Sequence, residues 1–306
     1  DCGDNEIERE YWDKRQLVKK INLNSLYGAI LNPGCRFFDI RIGQSVTLTG
    51  RCITKHMGAK VNEIVAGKYD HVGESIIYGD TDSVYFSANK TLSKEIDSGQ
   101  IAWNKESVIA LYDKIADEIN VSFPNFMQKA FHCPKTRGEL IRAGRELVAS
   151  RGLFITKKRY AVLYYDKEGT RVDTTGKEGK VKAMGLDLKR SDTPVFVQDF
   201  LSEILYMVLT GKDEKEVLDR ITEFRKEFKA RPGWEKGSPK RANNMTKYTE
   251  AEEKSGKTNM PGHVRASMNW NKCREMYGDK YSMPITDGAK VIVCKLKNNP
   301  LNYTSI

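Results

Sequence analysis

Two aspartates stand close together in a segment whose composition is typical of a tight turn. Asp80 and Asp82 belong to the run YGDTDS at 78–83, between β-rich arms at 75–78 and 83–87. Such arms around a short turn containing Gly and Asp predict a β-hairpin with both carboxylates at its tip. Carboxylate oxygens on a rigid tip suit Mg²⁺, and pairs of such ions serve phosphoryl transfer. The alternative is an ordinary turn, because Asp and Gly are common turn residues.

A second group of reactive or binding side chains lies on a predicted helix near the start of the chain. Lys20, Asn24 and Tyr27 are four and three residues apart, so they share one helical face. The compact charge of a lysine suits a triphosphate, and a tyrosine ring beside Gly28 can pack against a base pair. The alternative is a solvated helix face with a core tyrosine. The helix is predicted from apolar residues at helical spacing over 7–31, ending near 27–28 (Ile7, Tyr11, Leu17, Ile21 and Leu26).

A basic run, KKRY at 157–160, precedes a second predicted hairpin at 159–172. We expect the run to begin a strand, in which alternation places Lys158 and Tyr160 on the same face. A lysine in the minor groove can donate to acceptors that every correct base pair presents, so it checks the shape of a pair without reading its sequence. A charge run that is merely solvated is the alternative.

Composition limits the classes of partner and compartment. The 306 residues have a net charge of +10 and a pI near 9.1, which favours polyanions such as nucleic acid, although many basic proteins only have a solvated basic surface. Six cysteines without a CxxC pair indicate neither a zinc cluster nor a disulfide framework. No apolar run is long enough to span a bilayer, so we expect a cytoplasmic protein without a membrane partner. The first methionine is Met57, which indicates a processed product or part of a longer reading frame.

The remaining pattern predicts mixed helices and strands without an internal repeat. Helices are expected at 40–65, at 103–131 with a break at Pro124, at 195–209 and at 213–228. Residues 230–261 are expected to be rich in loops, and a short strand is expected at 290–296.

Three of these motifs together resemble DNA polymerase family B. YGDTDS at 78–83 matches the palm hairpin of that family, and K-x3-N-S-x-Y-G at 20–28 resembles its fingers motif. KKRY at 157–160 resembles a third motif, and all three occur in the family's order. MGL at 184–186 and NNMTKY at 243–248 are similar to the phage replicative branch.

The resemblance implies an α+β fold, in which a palm with an antiparallel sheet and packed helices is followed by a mostly helical thumb. It implies that 1–32 is the end of the fingers, 33–185 the palm and 186–306 an incomplete thumb. The implied activity is template-directed addition of deoxynucleotides to a primer 3′-hydroxyl with two Mg²⁺ ions. A noncatalytic module that binds primer-template DNA is the alternative.

The resemblance also assigns roles around the incoming nucleotide. Asp82 would be the main metal ligand and Asp80 a second catalytic carboxylate, while the backbone amide of Thr81 would approach a phosphate. Lys20 would contact the phosphates of the deoxynucleotide, with Asn24 close by. Tyr27 would line the base-pair pocket.

Further residues would contact DNA or the metals. Lys158 would lie in the minor groove near the primer terminus, with Lys157 and Tyr160 in support. Glu146 would be a further acidic residue near the metals, the alternative being an ion pair with a neighbouring arginine. Phosphate contacts from the thumb are expected at four positions (Asn244, Lys247, His263 and Arg265).

One family motif has no match in this chain. The motif D-x-x-S-L-Y-P-S, which supplies a second metal-binding aspartate, is missing, and so are the exonuclease carboxylates. We therefore expect the isolated chain to be inactive and to need an N-terminal complement, meaning a polymerase portion that supplies both. Residues 302–306 do not resemble the short hydrophobic tail through which such polymerases bind a sliding clamp, so clamp binding would need a tail that this sequence lacks.

Overall fold

Helices and short antiparallel sheets make up the parts of the chain that the computed structural model describes, residues 5–173, 176–255 and 259–306. This confirms the α+β class. Residues 1–4, and 256–258 of the predicted loop region, lie outside the described residues. The α-helices are α1 (Glu6–Ile30), α2 (Ile40–Ala66), α3 (Ser93–Asp97), α4 (Lys105–Phe131), α5 (Lys135–Gly138), α6 (Val195–Thr210), α7 (Glu214–Ala230), α8 (Met245–Ser255) and α9 (Gly262–Met276). The strands are β1 (Ile76–Asp80), β2 (Ser83–Phe86), β3 (Leu147–Thr156), β4 (Arg159–Lys167), β5 (Thr170–Arg171), β6 (Lys180–Met184), β7 (Ser238–Ala242) and β8 (Ala289–Val293).

The backbone divides into two compact units, 1–145 and 146–306. The predicted division into fingers, palm and thumb stays a prediction. None of the helices in the described ranges is long and apolar enough to cross a membrane.

Side chains cap the first two helices. Asn5 accepts a hydrogen bond from the Glu8 amide at the start of α1, and Asp39 accepts one from the Arg41 amide at the start of α2. Helix α1 continues past its predicted end to Ile30, because one glycine inside a helix costs only about 1 kcal/mol relative to alanine.

The core of the first unit lies between α2 and α4. Val61 of α2 packs with Ile115, Ile119 and Phe123 of α4. The predicted break at Pro124 is wrong, since α4 runs through it without interruption. The apolar face of α4 continues on both sides of the proline, and its burial outweighs the hydrogen bond that proline cannot make.

A sheet of β3, β4, β5 and β6 organises the second unit. Strand β4 forms the predicted hairpin with β5, through a turn of two residues, and it also pairs with β3 and β6. Strand β3 was not predicted. Helix α6 covers this sheet, where Leu209 packs with Leu163, Ala161 and Ala183.

The end of the chain contains more regular structure than its composition predicts. The expectation of loops over 230–261 is wrong, because that range includes β7 and all of α8. The predicted strand at 290–296 is confirmed as β8, which begins at Ala289 and pairs with β7. Strand β7 is visible only through this pairing, because SPKRA at 238–242 has no strand-like alternation.

Candidate active site

The predicted acidic hairpin is present. Strands β1 and β2 are antiparallel, and Asp80 pairs with Ser83, so only Thr81 and Asp82 form the turn. The Asp82 side chain is exposed and Asp80 is half-buried. The two carboxylates therefore lie at the solvent-facing tip, as the sequence predicts.

Hydrogen bonds between neighbouring residues organise the turn itself. The Asp82 amide donates to the Asp80 carbonyl at 2.6 Å, and the Ser83 hydroxyl donates to the same oxygen at 3.2 Å. The Thr81 hydroxyl donates to the Asp80 carboxylate, also at 3.2 Å. Thr81 has φ 52°, in the left-handed region that β-branched residues rarely adopt. The direction of both acidic side chains thus depends on a backbone held in an unusual conformation.

Helix α2 supports the hairpin at its base and at its tip. The side-chain oxygen of Asn62 accepts a hydrogen bond from the Ser75 amide just before β1, at 3.4 Å. The Thr54 hydroxyl donates to the Thr81 carbonyl in the turn, at 2.8 Å. Ile76 and Phe86 anchor the two strands against the core of the first unit. Sequence patterns did not single out Thr54 or Asn62, because a polar residue within a helix gives no sign of its partner outside it.

Two acidic side chains of the turn have the chemistry of metal ligands. Asp80 and Asp82 are hard oxygen donors of the kind that divalent cations such as Mg²⁺ prefer. Over residues 5–173, 176–255 and 259–306, no group of three or more His, Cys, Asp or Glu side chains is arranged to hold a metal. Two carboxylates at an accessible tip are fewer ligands than a divalent cation such as Mg²⁺ takes.

The predicted nucleotide-binding residues lie on the last half of α1. Lys20 and Asn24 are exposed, and Tyr27 is half-buried. No residue of α1 is fully buried, and several of its large apolar side chains are in solvent, including Ile7 and Leu23. The helix is thus available to bind a ligand or a further part of a protein.

The prediction that the basic run begins a strand is wrong. Lys157 and Lys158 form the two-residue turn between β3 and β4, and the strand starts at Arg159. Lys158 has φ 62°, so it does not share an alternating face with Tyr160. Tyr160 is instead buried and stacks on Phe154, with 5.6 Å between ring centroids.

Gly185, just after β6, fixes this basic turn from one side. Its carbonyl accepts a hydrogen bond from Arg159 Nε at 3.2 Å. Gly185 has φ 65°, and a β-carbon there would overlap the Lys158 carbonyl. The turn therefore presents two adjacent lysines from a well-supported backbone.

The structure places Glu146 in an ion pair. Its carboxylate accepts a hydrogen bond from Lys182 Nζ at 2.6 Å, and this pair joins the start of the second unit to β6. The neighbouring Arg145, considered as a partner in the alternative interpretation, pairs with Asp113 on α4. A role for Glu146 at a metal stays a prediction.

The predicted thumb residues lie at the starts of two helices. Asn244, with φ 61°, precedes α8, and Lys247 is exposed in the first turn of that helix. His263 and Arg265 lie in the first turn of α9. Amides at a helix N-terminus favour anions, so these positions suit phosphate.

Comparison with known proteins shows which polymerases the chain resembles. Residues 2–127 match the model of DNA polymerase family B. The chain is 31% identical over 296 residues to the DNA-directed DNA polymerase of Escherichia phage RB69, a match covering 93% of this chain and 32% of that protein. The corresponding enzyme of Enterobacteria phage T4 is 29% identical over 299 residues, with the same coverage. The DNA polymerase delta catalytic subunit of Oryza sativa subsp. japonica is 28% identical over 209 residues, covering 68% of this chain and 16% of that subunit.

The acidic hairpin lies within residues 2–127, which match DNA polymerase family B, and the chain is similar to DNA-directed DNA polymerases. Over 93% of its length the chain is similar to the polymerases of phages RB69 and T4. The chain spans about a third of the length of these two relatives.

Proposed function

We propose that this chain is a portion of a DNA-directed DNA polymerase that adds deoxynucleotides to a primer 3′-hydroxyl under the direction of a template. The observation that supports this most is the two-residue turn of β1 and β2, which presents Asp80 and Asp82 to solvent while α2 holds both ends of the hairpin. Sites of this kind need a rigid support, because small displacements of reacting groups cost large factors in rate.

In this proposal Asp82 is the main metal ligand and Asp80 is the second carboxylate. Mg²⁺ ions bound there would lower the pKa of the attacking hydroxyl and neutralise charge on the leaving pyrophosphate. The Thr81 amide, between the two ligands, faces a phosphate oxygen. The hairpin itself supplies negative charge at a fixed place.

The remaining residues bind the two substrates. Lys20 holds the phosphates of the deoxynucleotide through its positive charge, Asn24 lies beside it, and Tyr27 packs against the new base pair. The exposed basic turn at 157–158 contacts the duplex near the primer terminus, with the buried Tyr160 as a support. Asn244 and Lys247 contact phosphates further along the duplex.

We further propose that a polymerase portion outside this chain completes the site. About two thirds of the length of each phage relative has no counterpart here. That N-terminal complement would supply the second metal-binding aspartate and the exonuclease, and it would cover the exposed apolar residues of α1. A sliding clamp is a further proposed partner, and the cytoplasm of a phage-infected bacterium the proposed place of action.

A chimaera tests this proposal. The chain replaces the matched segment of the phage RB69 polymerase, and extension of a labelled primer is measured with Mg²⁺. We expect extension, and we expect Asp82→Asn to reduce it at least about a hundredfold, since even ligands outside the first coordination sphere affect metal sites by about ten- to a hundredfold.

The matched control is Asp97→Asn, which changes an exposed aspartate of α3. It should leave extension unchanged. Circular dichroism checks that each variant is folded. Full extension by the Asp82→Asn chimaera would overturn the assignment of the site, and tight primer-template binding without extension by the parent chimaera would favour the noncatalytic DNA-binding module.

A further inference from the structure

One hydrogen bond connects the middle of α2 to the turn that bears the two aspartates. Thr54 is half-buried, and its hydroxyl lies 2.8 Å from the carbonyl oxygen of Thr81, 27 residues further along the chain. Thr81 stands between Asp80 and Asp82. The bond therefore acts on the residue whose backbone sets the directions of both acidic side chains.

The backbone of Thr81 needs support from outside the turn. Its φ of 52° lies in the left-handed region, where a β-branched side chain is strained. Such a conformation is unfavourable by itself and persists only where its surroundings hold it there. The hydrogen bonds described above within the turn all join residues at most three apart. The bond from Thr54 ties this local arrangement to the core helix.

The same hydroxyl also lies 3.0 Å from the Gly50 carbonyl, one helical turn earlier. A threonine has one hydroxyl hydrogen, so the two carbonyls compete for it. A bond inside the helix is an ordinary feature, and the Thr47 hydroxyl of α2 likewise lies within reach of two helix carbonyls. The shorter bond to Thr81 is the one that distinguishes Thr54 from the other threonines of that kind.

We propose that Thr54 is a positioning residue for the metal-binding turn. Its hydroxyl donates to the Thr81 carbonyl and holds the strained turn in the conformation that directs Asp80 and Asp82 towards a common ion. Asn62, about two helical turns further along α2, fixes the base of the same hairpin through the Ser75 amide. The role in catalysis rests on the proposed polymerase function, whereas the hold on the turn does not.

The first experiment measures hydrogen exchange of the turn amides in this chain alone. Thr54→Val keeps the shape of the side chain but removes the hydroxyl, and Thr54→Ser keeps the hydroxyl. Thr47→Val is the matched control, because it removes a hydroxyl from the same helix. The hydrogen bonds of that hydroxyl stay within α2. We expect hydrogen exchange of the Asp82 and Ser83 amides to become about fivefold faster in Thr54→Val only, as the loss of one neutral hydrogen bond implies.

The second experiment measures catalysis in the chimaera described above. We expect Thr54→Val to lower kcat about five- to tenfold and to raise the Mg²⁺ concentration needed for half-maximal rate, while KM for the deoxynucleotide stays the same. Thr54→Ser should restore both values. A general loss of stability would not produce this separation, and the melting temperature of each variant is measured beside it.

The two experiments separate the inference from the proposal on which it rests. An inactive parent chimaera would remove the polymerase function, yet faster exchange in Thr54→Val would still support the hold of Thr54 on the turn. Equal exchange and equal kinetics in Thr54→Val and Thr47→Val would overturn the inference.

Discussion

The buried side-chain amide of Asn62 lies directly against Gly73, where there is no room for a β-carbon. Asn62 also donates to the Lys68 carbonyl at 2.8 Å and accepts from the Ser75 amide. These contacts bind the segment before β1 to α2. The acidic hairpin thus starts from a fixed point, and Gly73 is needed for close approach to α2.

Gly73→Ala should destabilise the first unit. The added methyl group overlaps the Asn62 amide, and overpacking of this kind costs about 1–3 kcal/mol. Chemical denaturation followed by circular dichroism measures the free energy of unfolding. In the control Gly50→Ala, the added carbon meets nothing within 4 Å and the helical propensity improves, so stability should stay the same or rise. Equal losses in both variants would contradict the packing argument.

A buried histidine joins α2 to α4 through a directed set of hydrogen bonds. The Ser122 hydroxyl donates to the Ile119 carbonyl at 2.6 Å, so it accepts from His56 Nε2, 2.8 Å away. His56 Nδ1 then accepts from the Tyr69 hydroxyl, also at 2.8 Å. The ring stacks on Phe126 with 4.0 Å between centroids. This set of hydrogen bonds is complete with a neutral imidazole protonated at Nε2.

Stability of the first unit should therefore fall in mild acid. Burial lowers the pKa of His56 below its ordinary value of 6.5, and Lys60 lowers it further against an opposing effect of Glu63. The unfolded chain binds the proton more readily than the folded chain. The contribution of His56 to the free energy of unfolding is therefore complete above pH 6.5, and it is lost as the pH falls towards the lowered pKa of His56 in the folded state.

The measurement is the free energy of unfolding from about pH 7.5 to about pH 5, a range that brackets the ordinary histidine pKa. His56→Gln should reduce its slope below pH 6.5. The exposed His71 provides the control, and His71→Gln should keep the slope of the parent chain. A slope that survives in His56→Gln would show that other groups cause it.

The basic turn at 157–158 should contribute to DNA affinity through charge. Lys158→Ala should weaken binding to primer-template DNA, and it should reduce the magnitude of the dependence of log K on log salt by about one. Fluorescence anisotropy over a series of salt concentrations measures both quantities. Lys226→Ala, which removes an exposed charge from α7, should change neither by a comparable amount. An unchanged slope for Lys158→Ala would mean that this lysine touches no phosphate.

Elements with strong local signals were predictable from the sequence. The periodicity of α1 and α2 and the composition of the turn at Thr81-Asp82 are local properties, and the structure contains all three. Pairing between distant strands was not predictable. Strand β4 is buried along most of its length and lies between β3 and β6, so it lacks the alternation of a strand with one solvent face.

The position of the basic run shows how an unpredicted strand, here β3, affects the description of a site. Without β3, Lys157 and Lys158 looked like the beginning of β4, and their true place in a turn followed only from the partner strand. The same limit applies to Thr54 and Asn62, since a helix pattern reveals which residues face the core but not which carbonyl or amide a polar side chain meets.

The exposed apolar side chains of α1 lead to a prediction about assembly. Leu23 is 68% exposed on a helix without a fully buried residue. If the N-terminal complement covers α1, burial of this leucine contributes about 1.5–3 kcal/mol, so Leu23→Glu should weaken association about tenfold or more. Calorimetric titration of the chain with the unmatched portion of the phage RB69 polymerase measures the affinity. Leu140→Glu is the control, because Leu140 is 80% exposed and lies outside α1. Equal affinities for the parent chain and Leu23→Glu would mean that the complement binds elsewhere and that α1 has another partner.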